Sequence, residues 1–274
     1  ILRNKIAFDY FHGDPRISNE FNEIFKKLTS RINKFWKIRI SHSGIYELFK
    51  NEGFEKKTHL IPIGINTDWF SVKSKELKLN ARRKLNLPQE GIIIGSFQKD
   101  GNGWGEGNTP KLIKGPDIFL KVIKILKKNI DNLFVLLTGP SRGYIKNGLE
   151  KLNVPFNHIF LKNYPEINLY YHALDAYLVS SREEGGPKAI LEALASGIPL
   201  VTTPVGQARD MIINEKNGWI SKTFDPEELS LLIIEALNNY NNQNIILNGI
   251  KTAEKHSYKN QEILWKDFFD EYFN

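Results

Sequence analysis

Two carboxylates, Glu184 and Glu192, stand eight residues apart in the string Ser180-Ser181-Arg182-Glu183-Glu184-Gly185-Gly186-Pro187-Lys188-Ala189-Ile190-Leu191-Glu192-Ala193-Leu194-Ala195-Ser196-Gly197. The paired glycines let backbone come close to a ligand. Pro187 followed by Lys188 to Ser196 and then Gly197 predicts a helix that begins at the proline and stops at the glycine. Unpaired N–H groups and the positive end of the dipole converge at such a start, giving an anion site that suits a diphosphate. Glu184 lies in the turn before the helix, and Glu192 lies about 7.5 Å along its axis from Pro187. One carboxylate can therefore meet each end of an extended ligand. The same spacing also admits a plainer reading, in which Lys188 and Glu192 are an i,i+4 surface pair.

Such a turn needs a strand to aim it, and Ala176-Tyr177-Leu178-Val179 is a short apolar run suited to a buried parallel strand. The rest of the chain alternates in the same way. Strands are predicted at 4–10, 37–41 and 59–65, with helices over 17–35 and 43–53 between them, and a polar helical stretch runs from Lys73 to Pro88. Leu87-Pro88-Gln89-Glu90-Gly91 reads as a linker into a second unit that opens with the strand 91–97. Further strands are predicted at 133–138, 157–161 and 200–203, with helices over 116–128, 142–152 and 166–173, and the last fifty residues are largely helical. This is the pattern of an α/β chain with parallel sheets, which bind ligands at the carboxyl ends of their strands.

Composition narrows the chemistry. The 274 residues contain no cysteine, so neither disulfides nor thiolate metal sites arise, and the six histidines lack zinc-type spacing. No Asp-x-Asp pair occurs, which removes one common divalent-cation motif. No apolar run approaches the roughly 20 residues that span a bilayer, and no signal-peptide pattern opens the chain. Residues 1–88 hold 18 Lys and Arg against 9 Asp and Glu, whereas residues 89–274 hold 20 against 22. The basic excess is densest at Lys26, Lys27, Arg31, Lys34, Lys37 and Arg39, interleaved with apolar residues as in a basic amphipathic helix. That face suits anionic lipid or a lipid-phosphate acceptor, or is an ordinary solvated surface. Nothing resembles a nucleic-acid module.

The Glu184–Glu192 string resembles the E-x(7)-E signature of retaining glycosyltransferases of family 4, and Gly197-Ile198-Pro199-Leu200-Val201-Thr202-Thr203 continues it in register. The resemblance covers nearly the whole chain. Ser41-His42-Ser43 through Ile61-Pro62-Ile63-Gly64-Ile65-Asn66 and Phe70 look like the end of the family's acceptor domain, and Lys114-Gly115-Pro116-Asp117 like its diphosphate lysine block. Asn163-Tyr164, Tyr170, Tyr171, Asp175 and Gly206 to Asp210 look like its donor-binding half. The implied fold is GT-B: two Rossmann-like domains, a truncated acceptor-side domain at 1–88 and a nucleotide-sugar domain at 89–274, whose last helix is expected to pack back on the first.

The resemblance implies a metal-independent, retaining hexosyltransferase with no cofactor beyond its donor, a nucleoside-diphosphate sugar, and a glycan or lipid-linked hydroxyl acceptor. Glu192 would hold the ribose, Glu184 the sugar and reaction centre, and Lys114 the leaving diphosphate, with Gly185, Gly186, Pro187, Lys188 and Tyr164 lining the donor site. The family's usual arginine after the first strand of this domain is replaced in Gly95-Ser96-Phe97-Gln98-Lys99, where Lys99 is the nearest cation and Arg182 a second candidate. His12, after the first strand, would face the cleft as a catalytic residue, whereas His42 reads as a structural hydrogen-bonding residue. The loop Asp100 to Thr109, with four glycines and Trp104, is either a lid or a mobile surface loop. A cytoplasmic enzyme, free or peripheral at the membrane, is expected. The alternative is a catalytically weak sugar-nucleotide-binding protein, or a fragment completed by a partner, a membrane or a second copy.

Overall fold

The computed structural model describes residues 5–11, 13–239 and 243–270. Nine parallel strands among them form two sheets. The first contains β1 (Ala7–Tyr10), β2 (Lys37–Ile40) and β3 (Thr58–Leu60) in the order 1-2-3, with α1 (Asn19–Thr29) and α2 (Ser43–Asn51) as crossovers. The second contains β4 (Ile92–Phe97), β5 (Leu133–Thr138), β6 (Phe156–Ile159), β7 (Ala176–Val179), β8 (Leu200–Thr202) and β9 (Trp219–Ile220) in the order 6-5-4-7-8-9. After β6 the chain crosses back to lay β7 on the free edge of β4. The strand order reverses there, so the loops leaving the carboxyl ends of β4 and β7 face one crevice.

Side-chain alternation builds the layers. Ile93, Leu136, Tyr177 and Leu200 point to one face of the larger sheet, where they pack with α6 (Ile167–His172), α7 (Lys188–Ala195) and α8 (Ala208–Met211). Ile94, Val135, Leu137, Leu178 and Val201 point to the other, under α4 (Pro116–Leu126), α5 (Gly143–Lys151) and α9 (Pro226–Asn238). Both faces are thus dry, and the central strands read as continuous apolar runs rather than alternating ones. The first sheet has a smaller core of Tyr10, Leu28, Ile38, Ile40, Ile45 and Phe49 on its α1/α2 face. After α10 (Gln243–Lys255) the chain returns to this sheet. Tyr258 N donates to Ile65 O at 2.9 Å, Gln261 Nε2 to Pro62 O at 3.1 Å, and α11 (Glu262–Phe269) lies where Lys37 Nζ reaches Asp267 O at 3.2 Å.

Two expectations are corrected here. The basic stretch 26–39 is not one amphipathic helix: α1 ends at Thr29, a 3₁₀ turn spans Ile32–Lys34, and Lys37 and Arg39 belong to β2. Arg39 is buried, donating to Ile61 O at 2.6 Å and Asp9 Oδ1 at 2.9 Å, so it presents no charge to an outer surface. The third strand stops at Leu60 instead of running to 65, because Pro62 has no N–H to extend the ladder. The side chain of Gln207 takes over, accepting from Ile63 N at 2.8 Å and donating to Ile63 O at 3.1 Å. No helix among the described residues is long and apolar enough to cross a membrane.

The segment joining the sheets is held by charge. Arg82 on α3 (Lys75–Lys84), 1% exposed, donates to Asp175 Oδ2 at 2.6 Å and to the carbonyls of Ala173, Gln89 and Gly91. Asp175 also accepts from Ile93 N at 2.7 Å and from Lys78, so the start of β4, the end of α6 and α3 share one carboxylate. Removing one member of a buried pair leaves an uncompensated charge. Arg82→Met is therefore expected to lower unfolding stability by about 3–5 kcal/mol, read from the urea midpoint at neutral pH.

Candidate active site

The loop after β4 carries Lys114 and the loop after β7 carries Glu184, and the reversal of strand order brings them together. Lys114 Nζ lies 2.7 Å from Glu184 Oε2, with both side chains largely buried. Their approach depends on Gly115. This residue has φ +63° as the N-cap of α4, and a Cβ there would fall 1.8 Å from Ser180 O. Only glycine lets the Lys114 loop lie directly on the end of β7. The contact is then closed by Ser180 Oγ donating to Gly115 O at 3.0 Å, and by Arg182 N and Glu183 N donating to Ile113 O at 2.8 and 3.1 Å. Ser181 Oγ donates to Glu184 Oε1 at 2.5 Å, so both oxygens of this carboxylate are held.

Glu192, on the second turn of α7, is 3% exposed. It is not half of a surface pair with Lys188. Its Oε1 accepts from the Tyr164 hydroxyl and its Oε2 from Tyr171 OH at 2.9 Å. Burial pushes its carboxyl above the ordinary range, against the pull of the two hydroxyls and the Lys188 charge. Between the two carboxylates, the N–H groups of Gly185, Gly186, Lys188 and Ala189 meet no protein acceptor among the described residues. The helix N-terminus therefore points free donors into the crevice beside Lys114. Pro187 precedes the helix with φ −69° and ψ 113°, as its cap and not its first residue.

Tyr164 also forms one wall of a cavity of about 270 Å³, with Ile65, Asn66, Trp69, Phe70, Lys188 and Tyr258. Trp69 meets Tyr164 edge to face at 5.6 Å. An aromatic slot thus opens next to Glu192. Lys188 is exposed at its mouth and donates to Tyr258 OH at 3.2 Å.

Several expected residues sit elsewhere. Lys99 does not join Lys114: its ammonium lies 3.7 Å over the Trp104 ring. Arg182 is spent on Asp117 through two bonds of 2.7 and 2.6 Å. The Asp100–Thr109 loop is neither loose nor free. Asn102 N bonds Thr109 O, Ser141 Oγ donates to Gly103 O and Gly105 O, and Asp100 is fully buried 3.0 Å from the Arg142 Nε. Gly185 and Gly186 keep free N–H groups at the crevice, but the space where their side chains would be is filled by protein. Gly185 O accepts from Ser41 Oγ at 3.0 Å and a Cβ would fall 2.2 Å from Phe11 O, while Gly186 lies against Gln207. His42 is buried with its Nε2 lacking any partner, contrary to a structural hydrogen-bonding role. His12 lies outside the described residues.

A profile of the glycosyl transferases group 1 family matches residues 110–252, more than half of the chain, and takes in Lys114, Tyr164, Glu184 and Glu192. The chain belongs to this family. Among curated group 1-like relatives, an uncharacterized glycosyltransferase of Methanocaldococcus jannaschii is 26% identical over 216 residues, covering 75% of this chain and 52% of the relative. A D-inositol 3-phosphate glycosyltransferase of Corynebacterium jeikeium is 28% identical over 191 residues, covering 65% and 43%. The chain thus spans about half or less of the length of these relatives. The fold is that of GT-B glycosyltransferases. Anabaena HepE in complex with UDP-glucose superposes with a TM-score of 0.78 at 15% identity, over 98% of this chain and 72% of that one. Sucrose-phosphate synthase from Thermosynechococcus elongatus gives 0.74 at 18% identity, over 93% and 62%.

Sequence reasoning about this glycosyltransferase-family crevice missed Ser181, Tyr258 and Trp69. Ser181 was legible as the third residue before Glu184, but Tyr258 comes from a segment 66 residues beyond Glu192 and carries no local signal. The raised Glu192 carboxyl has a consequence for stability. A folded-state value above the unfolded one adds stability below the ordinary Glu range and removes it as pH rises through the folded value. Glu192 therefore costs stability at pH 7 relative to acid pH. Glu192→Gln is expected to raise the melting temperature of the unliganded protein at pH 7 by a few degrees, about 2–4 °C per kcal/mol, and by less at pH 4.

Proposed function

We propose that the chain is a retaining glycosyltransferase of family 4 that moves a hexosyl group from a nucleoside-diphosphate sugar to a hydroxyl acceptor. The observation that carries this reading is the meeting of Lys114 and Glu184 at 2.7 Å, beside the free N–H groups that open α7. The cation and the helix start supply positive charge where a diphosphate leaves, work that a divalent ion does in other sites, and so support metal-independent transfer. Glu192 lies one helical turn deeper, next to the aromatic slot, and suits the ribose while the slot takes the base. Glu184, at the other end, suits the sugar hydroxyls and the positive charge that develops at the anomeric carbon. That the HepE structures hold UDP and UDP-glucose supports a uridine donor.

In this mechanism the bond from the anomeric carbon to the diphosphate oxygen breaks, and the acceptor oxygen bonds to the same face. The acceptor proton passes to the departing phosphate oxygen, so the donor itself is the base and configuration is retained. Tyr164 must yield its place on Glu192, or share it, when ribose arrives. Lys114 must likewise leave Glu184 for phosphate, which frees that carboxylate for the sugar.

Glu184→Gln is expected to abolish transfer while leaving donor binding within about twofold, whereas Glu192→Ala should weaken donor binding by roughly ten- to a hundredfold. Calorimetric titration with UDP-glucose beside a product assay reads both. Equal turnover by wild type and Glu184→Gln would sink the assignment. Transfer is also expected to survive excess EDTA, and activity lost to the chelator and restored by magnesium or manganese would overturn the role given to Lys114. A wild-type chain that binds UDP-sugars yet turns over neither with acceptor nor without it would instead be a sugar-nucleotide-binding protein.

A further inference from the structure

A cavity of about 380 Å³ lies outside the crevice and the aromatic slot and shares no residue with either. It is framed by α8, by the turn 213–217 and by the outer face of α10. Two asparagines stitch the turn to the helix. Asn217, 6% exposed, accepts from Ile213 N at 2.8 Å and donates to Met211 O at 2.7 Å and Thr252 Oγ1 at 2.9 Å, while Asn248 Nδ2 donates to Lys216 O at 3.0 Å. These bonds carry Lys216 to the face of α10 that already holds Lys251 and Lys255, one turn apart. Like charges at that spacing repel, and other lysines of this chain offset their charge with a neighbouring acid: Lys26 with Glu23, Lys146 with Glu106, Lys266 with Glu262. Here none of the three ammonium groups meets a carboxylate or another acceptor among the described residues. The adjacent acids are engaged elsewhere. Glu215 takes Asn214 Nδ2 at 2.9 Å, Glu254 takes Asn260 Nδ2 at 3.3 Å, and Asp210, the one acid in the wall, holds Ser43 N and Oγ with its two oxygens. His256 adds a fourth nitrogen: its Nδ1 donates to Thr252 O at 2.8 Å, which leaves Nε2 without a partner among the described residues.

Three ammonium groups and an imidazole round one concave, stitched floor are the chemistry that holds a phosphate dianion, whose oxygens accept from several donors at once. We propose that this cavity binds the phosphate group of a second ligand, distinct from the sugar-nucleotide donor: a phosphomonoester carried by a small metabolite or by a lipid headgroup. The site is no extension of the donor crevice. The positive charge there comes from Lys114 and the start of α7, and neither lines this cavity. Its volume also exceeds what a bare phosphate fills and leaves room for the group that carries it.

Amide-resolved NMR titrations with inorganic phosphate and with glycerol 3-phosphate, at constant ionic strength and with chloride as the control anion, test the site without a donor. The amides of Lys216, Lys251 and Lys255 are expected to shift saturably with glycerol 3-phosphate. Carrying Lys251→Gln and Lys255→Gln together should weaken that binding by at least about tenfold, whereas Lys114→Gln should leave it unchanged. Lys251 and Lys255 are exposed, so the double variant is expected to melt with the wild type. Shifts that only track those given by chloride, binding that the double variant retains, or binding that Lys114→Gln abolishes overturns the proposal. Cosedimentation with phosphatidylcholine vesicles containing phosphatidic acid separates the sources: pelleting that the double variant loses assigns the lipid headgroup, and saturable glycerol 3-phosphate binding with no pelleting assigns a small metabolite.

Discussion

The crevice depends on keeping two carboxylates in place where water is scarce. A carboxylate that loses its hydration must find donors, and each of the pair finds them on elements distant in sequence: Lys114 and Ser181 for Glu184, Tyr164 and Tyr171 for Glu192. The topology serves this requirement. Placing β7 against β4 brings the Lys114 loop onto the Glu184 turn, and the α6 crossover that feeds β7 delivers Tyr171 to the buried side of α7. The donors seen in the unliganded chain are of the same kinds that a diphosphate, a sugar and a ribose would replace or supplement. The site is thus stabilised by partners that substrate can exchange for its own.

That arrangement explains where the chain carries cost. Glu192 is held by two neutral hydroxyls and no direct cation, which leaves its ionised form poorly offset. By contrast Asp175, also buried, is matched by Arg82 and Lys78 and ties the linker to the larger sheet. One buried carboxylate is matched by two cations, and the other, which we propose takes a ligand, is not. Across the seam, Asp14 N donates to Glu183 Oε1 at 2.8 Å and Ser43 N to Asp210 Oδ2 at 2.7 Å, so the first sheet closes onto the turn that carries Glu184 and onto α8. Backbone N–H groups of the first sheet's loops thus reach carboxylates carried by the larger sheet.

Much of this was legible in the sequence because it rests on short-range rules. The apolar runs at 92–94, 133–137 and 176–179 announced buried parallel strands, and the proline and glycines around α7 marked its ends. The E-x(7)-E spacing and Lys114 singled out residues of which the fold brings Lys114 and Glu184 into contact. What escaped was set by long-range contact. Lys99 looked like a phosphate cation from its register but stacks on Trp104, and the basic run through Arg39 looked like one helix but turns into a strand whose arginine faces inward. Lys216, Lys251 and Lys255 lie in two segments with no shared motif, and only the bonds of Asn217 and Asn248 bring them to one cavity.

The central claim is that Lys114, Glu184, Glu192 and the start of α7 form one donor site, and a crystal structure with UDP-glucose bound tests it most directly. The account predicts ribose hydroxyls on Glu192 with Tyr164 displaced or sharing, the diphosphate against the Lys114 ammonium and the N–H groups of Gly186 and Lys188, and the glucose against Glu184. A nucleotide bound away from this crevice, with Lys114 still on Glu184 and both tyrosines still on Glu192, would contradict it.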